Sequence, residues 1–327
     1  MIMKILVTAC GKRPTLAWGL VSIVLLSVAA LAQTSTGRIT GEIDNSVRVL
    51  IPGTHSPRAR QEDDAGRVPQ RTGLQGITLM FSRTAVQEAD LQVLIAAQQN
   101  PASPLYHQWL TPDEFAVRFG VADSDIAKVT SWLEQQGFSV DAVSRSKNRV
   151  TFSGTVGQVE AVFGTEMHYF SVDGKTRFAP STDISVPAAL ASLVQTVGNL
   201  STFRPKPHVR LGRSATAPRP LFTSSQSGSH FLSPGDIAVI YDINSAYKAG
   251  YTGAGQAIAI VGQSEIYASD IENFQSAAGL PTKAPTMILV PNSGTPEVSS
   301  GDEAESDLDV EWSGAIATGA SIYLGRL

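Results

Sequence analysis

Phe203-Arg-Pro-Lys-Pro-His-Val-Arg-Leu-Gly-Arg-Ser-Ala-Thr-Ala-Pro-Arg-Pro-Leu-Phe-Thr-Ser-Ser-Gln-Ser-Gly-Ser-His-Phe-Leu-Ser233 divides the chain in two. Its prolines and glycines punctuate any regular structure, and Arg204, Lys206, Arg210, Arg213 and Arg219 face no acidic residue between Asp183 and Asp236. Residues 203–232 therefore read as an exposed, basic linker. Two roles fit that composition: a processing site between a propeptide and an enzyme, or an ordinary interdomain connection. The flanking halves must decide between them.

On the N-terminal side, Ile77 to Phe81 alternates as a strand, and Thr84 with Gln87 forms a capping box that opens a helix with Leu91, Leu94 and Ile95 on one face. Thr111-Pro112-Asp113-Glu114 opens a second helix, ending at Gly120. A third places Ile126, Val129 and Leu133 inward and stops at Gly137. Strands follow at Phe138 to Val143 and Val150 to Ser153, then a short helix from Val156 to Phe163. Glu166 to Val172 and Lys175 to Phe178 then form a hairpin about Asp173-Gly174. Residues 75–202 are thus expected to form an α+β domain of two βαβ halves on one antiparallel sheet, ferredoxin-like in kind. Residues 33–74 are rich in Gly, Pro, Arg, Gln and Asp, and the composition predicts a poorly ordered stretch with order beginning near Gln75.

Ahead of it, Lys4, Lys12 and Arg13 precede an apolar run from Leu16 to Ala30 and the small-residue site Ala30-Leu31-Ala32. Residues 1–32 read as a signal peptide, with Gln33 as the first mature residue and export to the periplasm or medium as the consequence. The alternative of a membrane anchor is disfavoured because the run is shorter than the ~20 residues that span a bilayer. Cys10 is the one cysteine, so the mature chain has no disulfide to hold it. It lies ahead of the apolar run, where a lipoprotein cleavage box would not place it.

On the C-terminal side, Gln256 to Val261 is a continuous apolar strand, Asp270 to Ala278 a helix, Thr286 to Val290 a strand, Ser300 to Ala317 a longer helix and Ala320 to Leu324 a third strand. The alternation predicts a parallel sheet covered by helices, an α/β domain. Three strands do not close a domain of this class, so residues 233–327 are expected to be its N-terminal part only.

The chain has 327 residues, 43% hydrophobic and 17% charged, enough for two cores and unlike a disordered protein. A net charge of -4 supplies no whole-chain reason to expect nucleic acid. Charge is concentrated instead in Gly301-Asp-Glu-Ala-Glu-Ser-Asp-Leu-Asp-Val-Glu-Trp312, with no basic residue between Lys283 and Arg326. Ser300 and Glu303 form a capping box that favours the early acids. Helical spacing then places Glu305, Asp309, Trp312 and Ile316 on one face and Glu303, Asp307 and Glu311 on a second, solvated one. Two carboxylates on an apolar face can share a proton and act as a general base in acid. A solvated acidic helix or a cation site fits the same residues. The five histidines, His55, His107, His168, His208 and His230, all precede Ser233, so a subtilisin-like histidine base would have to come from further along the domain.

Several separated motifs resemble one family. Ser103-Pro-Leu-Tyr-His-Gln-Trp-Leu-Thr-Pro-Asp-Glu-Phe115, Arg149-Val-Thr-Phe-Ser-Gly-Thr155, Gln158-Val-Glu-Ala-Val-Phe163 and His168-Tyr169 are similar to the activation domain of the sedolisins, or serine-carboxyl peptidases, of the kumamolisin-like kind. Ser233-Pro-Gly-Asp-Ile, Ile240-Tyr-Asp, Tyr251-Thr-Gly-Ala-Gly-Gln-Ala-Ile-Ala-Ile-Val261 and Glu305-Ser-Asp-Leu-Asp-Val310 resemble the start of that family's catalytic domain, and the likeness covers about residues 75 to 327. It implies a prodomain followed by an incomplete subtilisin-like domain, with Glu305 as general base to a serine and Asp309 as the carboxylate that orients it. It makes His107 and His168 structural residues of the prodomain. Some relatives carry a further carboxylate where this chain has Gly262 and Gln263. The serine, the oxyanion-hole aspartate and a calcium site of the family match positions beyond Leu327, so calcium is expected in the complete protein and the residues present are not expected to hydrolyse peptides alone. The implied partners are protein or peptide substrates and, within the molecule, prodomain against catalytic domain. Neither nucleic acid nor, after signal cleavage, a membrane is among them. The alternative is an inert, secreted propeptide-like inhibitor or folding aid for a related peptidase.

Overall fold

The computed structural model describes residues 36–203, 222–223, 228, 230–290, 297–299 and 302–326. The expected signal peptide and most of the 203–232 segment lie outside them. The described residues belong to one compact unit, Thr34–Leu327. They form a mixed α/β fold with several sheets.

Up to residue 203 the elements are β1 (Arg48–Leu50), β2 (Asp64–Arg67), β3 (Gly73–Phe81), α1 (Ala85–Gln99), α2 (Pro112–Phe119), α3 (Asp123–Gln135), β4 (Ser139–Val143), β5 (Arg149–Thr155), α4 (Val156–Phe163), β6 (Met167–Val172), β7 (Lys175–Pro180), β8 (Ser185–Pro187) and β9 (Val194–Gly198). Local chemistry sets their starts. Thr84 with Gln87, Thr111 with Glu114 and Thr155 with Gln158 each form both bonds of a capping box. Asp173 and Gly174 adopt positive φ values of 53° and 71°, the two left-handed positions that a two-residue hairpin between β6 and β7 requires.

The main sheet has the order β4-β5-β3-β9, antiparallel throughout. Alternation along β3 buries Ile77 and Leu79, and β5 buries Val150 and Phe152. Val129 and Leu133 of α3 and Val159 and Phe163 of α4 complete the same core. Aromatic rings interlock there: Phe138 meets Phe152 edge-on at 5.0 Å, and Trp132 meets Phe163 at 6.3 Å. A second sheet, β2-β6-β7, buries Phe170 and Ala179 against Ala59.

Two expectations need correction here. Residues 36–74 are built into the fold rather than poorly ordered: β1 pairs with β8, β2 pairs with β6, and Ile39, Ile51 and Val68 are buried in the main core. Their apolar residues are too widely spaced to show periodicity, and their partners lie far along the chain. In α1, Leu94 is buried as expected, but Ile95 is exposed and the buried stripe continues to Gln98. The Gln98 amide, which donates to the Gln108 carbonyl, is satisfied there without apolar character.

Within the 203–232 segment β10 (Phe222–Thr223) pairs with β11 (His230–Phe231), and beyond it come α5 (Pro234–Ile240), α6 (Ile243–Lys248), β12 (Ala257–Gly262), α7 (Ala268–Ala277), β13 (Thr286–Leu289), α8 (Glu303–Ile316) and β14 (Ser321–Arg326). The strands form a parallel sheet of order β12-β14-β13. Its core joins Ile266 and Ile271 to Val310 of α8 and to Ala320, Ile322 and Leu324. Among the described residues no helix is long and apolar enough to cross a membrane.

Phe152 is fully buried and touches the rings of both Phe138 and Phe163. Phe152→Ala is expected to destabilise the first core by about 3–5 kcal/mol, read from a shift of its denaturant unfolding midpoint. A midpoint within error of the parent would contradict the packing described.

Candidate active-site helix

Helix α8 carries the acids singled out in the sequence, and small residues decide how it lies. Its buried residues are Ser306, Val310 and Ala315. At Gly262, at the end of β12, a Cβ would stand 2.7 Å from Ser306 Oγ, and at Gly314 a Cβ would meet Ile322 Cγ1 at 3.7 Å. The helix therefore sits close on the sheet along a Ser306–Val310–Gly314 stripe. At Gly262, one of the two positions where some relatives are expected to carry an extra carboxylate, a side chain would crowd Ser306 and Leu324.

The stripe turns the helix away from the orientation expected from hydrophobicity. Glu305 is half-buried, and its Oε2 is shielded from solvent with no hydrogen-bond partner among the described residues. Asp309 is exposed. Trp312 is half-buried and its ring lies 5.9 Å from that of Phe274 on α7. Ile316 is also half-buried, and its carbonyl accepts a 2.6 Å bond from the Tyr247 hydroxyl of α6. Glu305 and Asp309 stand one helical turn apart, neighbours on the helix surface. The expected capping box cannot be placed, because Ser300 lies outside the described residues; Ser299 Oγ instead bonds Asp302 just ahead of Glu303.

Glu303, Asp307 and Glu311, expected to be solvated, face α7 instead. Asp270, Glu303 and Asp307 each bring one carboxylate oxygen into a group whose members lie within 4.8 Å of one another. Asp307 Oδ1 is buried and has no partner among the described residues. Burial, with Asp270 and Glu303 beside it, pushes the Asp307 carboxyl up to about 6. Burial, then Asp307 and Asp270, pushes Glu311 up to about 7. No local pattern points to Asp270 joining this seam, since only the packing of α7 on α8 brings it there. Partly exposed acidic groups gather in this way without an ion, so the cluster identifies no metal.

The two histidines read as structural occupy the first half. His168 Nδ1 lies 2.8 Å from Asp64 and its Nε2 3.3 Å from Glu166, bridging β2 and β6. His107 stacks on Tyr106 at 3.8 Å and lies 5.7 Å from Trp109.

Residues 63–203 match the family model of the pro-kumamolisin activation domain, and homologues of the sedolisin family match most of the chain. Kumamolisin of Bacillus sp. (strain MN-32) is 30% identical over 284 residues, which is 84% of this chain and 49% of kumamolisin. Xanthomonalisin of Xanthomonas sp. (strain T-22) is 32% identical over 228 residues, 68% of this chain and 26% of the relative. Sedolisin of Pseudomonas sp. (strain 101) is 26% identical over 225 residues, 68% and 37% of the two chains. The chain spans at most about half the length of these relatives.

Asp307 and Glu311 hold their protons more tightly folded than unfolded. Their contribution to stability is therefore fully present below about pH 4 and is lost as pH rises through about 6 and 7. Asp307→Asn removes one of these titrations. Its melting temperature is expected to match the parent's near pH 4, to exceed it by a margin that grows up to about pH 7, and to hold that margin above it. A margin that shrinks or stays constant between about pH 4 and pH 7 would contradict the buried setting of Asp307.

Proposed function

We propose that this chain is the proregion and the opening part of the catalytic domain of an exported zymogen, an acid-active serine-carboxyl endopeptidase. The observation that carries the reading is the order of two features in one chain: a pro-kumamolisin activation domain at residues 63–203, then an α/β segment whose α8 bears Glu305 and Asp309 one turn apart. The first domain is read as ferredoxin-like, supported by the sheet order β4-β5-β3-β9 with helices between the first and second and between the third and fourth strands in sequence. The second is read as the start of a subtilisin-like domain, supported by the parallel order β12-β14-β13. The activation domain is assigned to residues 75–202, extended at its front by the residues packed from 36 onward, and the processing bond to residues 203–232.

In the complete enzyme Glu305 takes the proton of a serine hydroxyl as the serine oxygen attacks the substrate carbonyl carbon, and Asp309 orients Glu305. Glu305 then returns the proton to the departing amine, leaving an acyl-enzyme for water to hydrolyse. A carboxylate base remains deprotonated at acid pH values where a histidine base is protonated, which suits the pair to acid. The exposure of Asp309 leaves that side chain accessible to the remainder of the domain. Protein or peptide substrates, an inhibitory prodomain seated on its own catalytic domain, secretion, and calcium at a site formed by other residues belong to the same proposal. No described residue is assigned to calcium.

Glu305→Gln in the protein encoded by the whole gene is expected to lower peptide hydrolysis at acid pH by about 10²–10⁴-fold, the range for a lost general base. Full activity in that variant would overturn the assignment of Glu305.

A further inference from the structure

The activation-domain match begins at residue 63, yet the structure binds a stretch well ahead of it into the same core. Residues 37–47 form no helix or strand and are held at two ends. At the front, the fully buried Asp125 of α3 accepts from the backbone N–H of Arg38 at 2.6 Å and of Ile39 at 3.0 Å. The Arg38 guanidinium donates to the carbonyls of Ser82 at 2.7 Å and Ser192 at 3.0 Å, joining the end of β3 to the approach of β9. Ile39 is buried, and its carbonyl accepts from Lys128 Nζ of α3 at 2.6 Å.

At the rear, Arg48 donates to Ser185 Oγ at 2.9 Å and to the carbonyls of Ser185 at 2.6 Å and Val162 at 2.5 Å. β1 pairs with β8, and Ile51 N–H donates to the Ile184 carbonyl at 2.8 Å. Between the ends, Asn45 Oδ1 accepts from Trp132 Nε1 at 3.0 Å, while residues 40–42 and 44–47 are exposed. Asp125 occupies the first turn of α3, where a carboxylate ordinarily caps its own helix, but the cap residue Ala122 receives no side-chain bond. Its two acceptor bonds go to the distant segment instead. A buried carboxylate stripped of such donors is costly, so the segment and α3 depend on one another.

We propose that residues 37–51 are a strap that locks α3 onto the body of the first domain, and that cutting the strap within its largely exposed stretch 40–47 loosens that domain. The strap is an intramolecular ligand of α3 and β8. This inference does not rest on the peptidase reading, because it concerns only how the first domain is held.

Amide hydrogen exchange on the full chain tests it. The Arg38 and Ile39 amides should exchange on the order of a hundredfold or more slowly than in a free peptide, as two hydrogen bonds to a charged acceptor imply. With a site-specific protease sequence placed between Glu42 and Val47, cutting should raise exchange at Val129 and Leu133 of α3 and leave β12 and β14 unchanged. Free-peptide rates at Arg38 and Ile39 in the uncut chain, or α3 protection unaltered by the cut, would overturn the proposal.

Discussion

The pairing of β3 between β5 and β9 is the constraint from which the first domain follows. A strand bonded on both edges has its backbone donors and acceptors satisfied, and its period of two then fixes which side chains face inward. Ile77 and Leu79 point into the core, and α3 and α4 have Val129, Leu133, Val159 and Phe163 in the positions that cover them. A shift of β3 by one residue would turn Ile77 and Leu79 outward and bring Thr78 and Met80 in. The aromatic set of Trp132, Phe138, Phe152 and Phe163 has edge contacts that only one register satisfies.

The second half obeys a different constraint, the close approach of α8 to the parallel sheet. Ser306 beside Gly262 allows a short distance that a side chain at 262 would crowd, and Gly314 packs at ordinary contact distance over Ile322. That approach sets the helix rotation and with it the environment of every acid on α8. Glu305 has one shielded oxygen, Asp309 is left exposed, and Asp307 and Glu311 turn into the seam with α7, where burial and Asp270 favour their protonated forms. The helix proposed to carry the general base is thus packed so that its other carboxyls are best accommodated in acid.

Features written in neighbouring residues were legible in the sequence. The helix starts at Thr84 and Thr111 and the Asp173-Gly174 turn are short-range chemistry, and each appears where its spacing places it. Features that depend on distant partners were not. The segment ahead of Gln75 looked featureless because its partners, Asp125 for Arg38 and Ser185 for Arg48, lie 87 and 137 positions away. The rotation of α8 was misjudged because a stripe of Ser306 and Gly314 is invisible to a hydrophobic count, although it decides how near the helix can come. Glu305 and Asp309 were selected by spacing and by resemblance, and the structure contributes their setting: one partly shielded, the other open.

The most direct test of the central claim is to hold the protein expressed from the whole gene at acid pH and determine the N-terminal sequence of the products over time. The account predicts a new N-terminus between Arg204 and Ser233, appearing together with peptidase activity. An intact precursor after prolonged incubation, or activity without any cut in that segment, would contradict it.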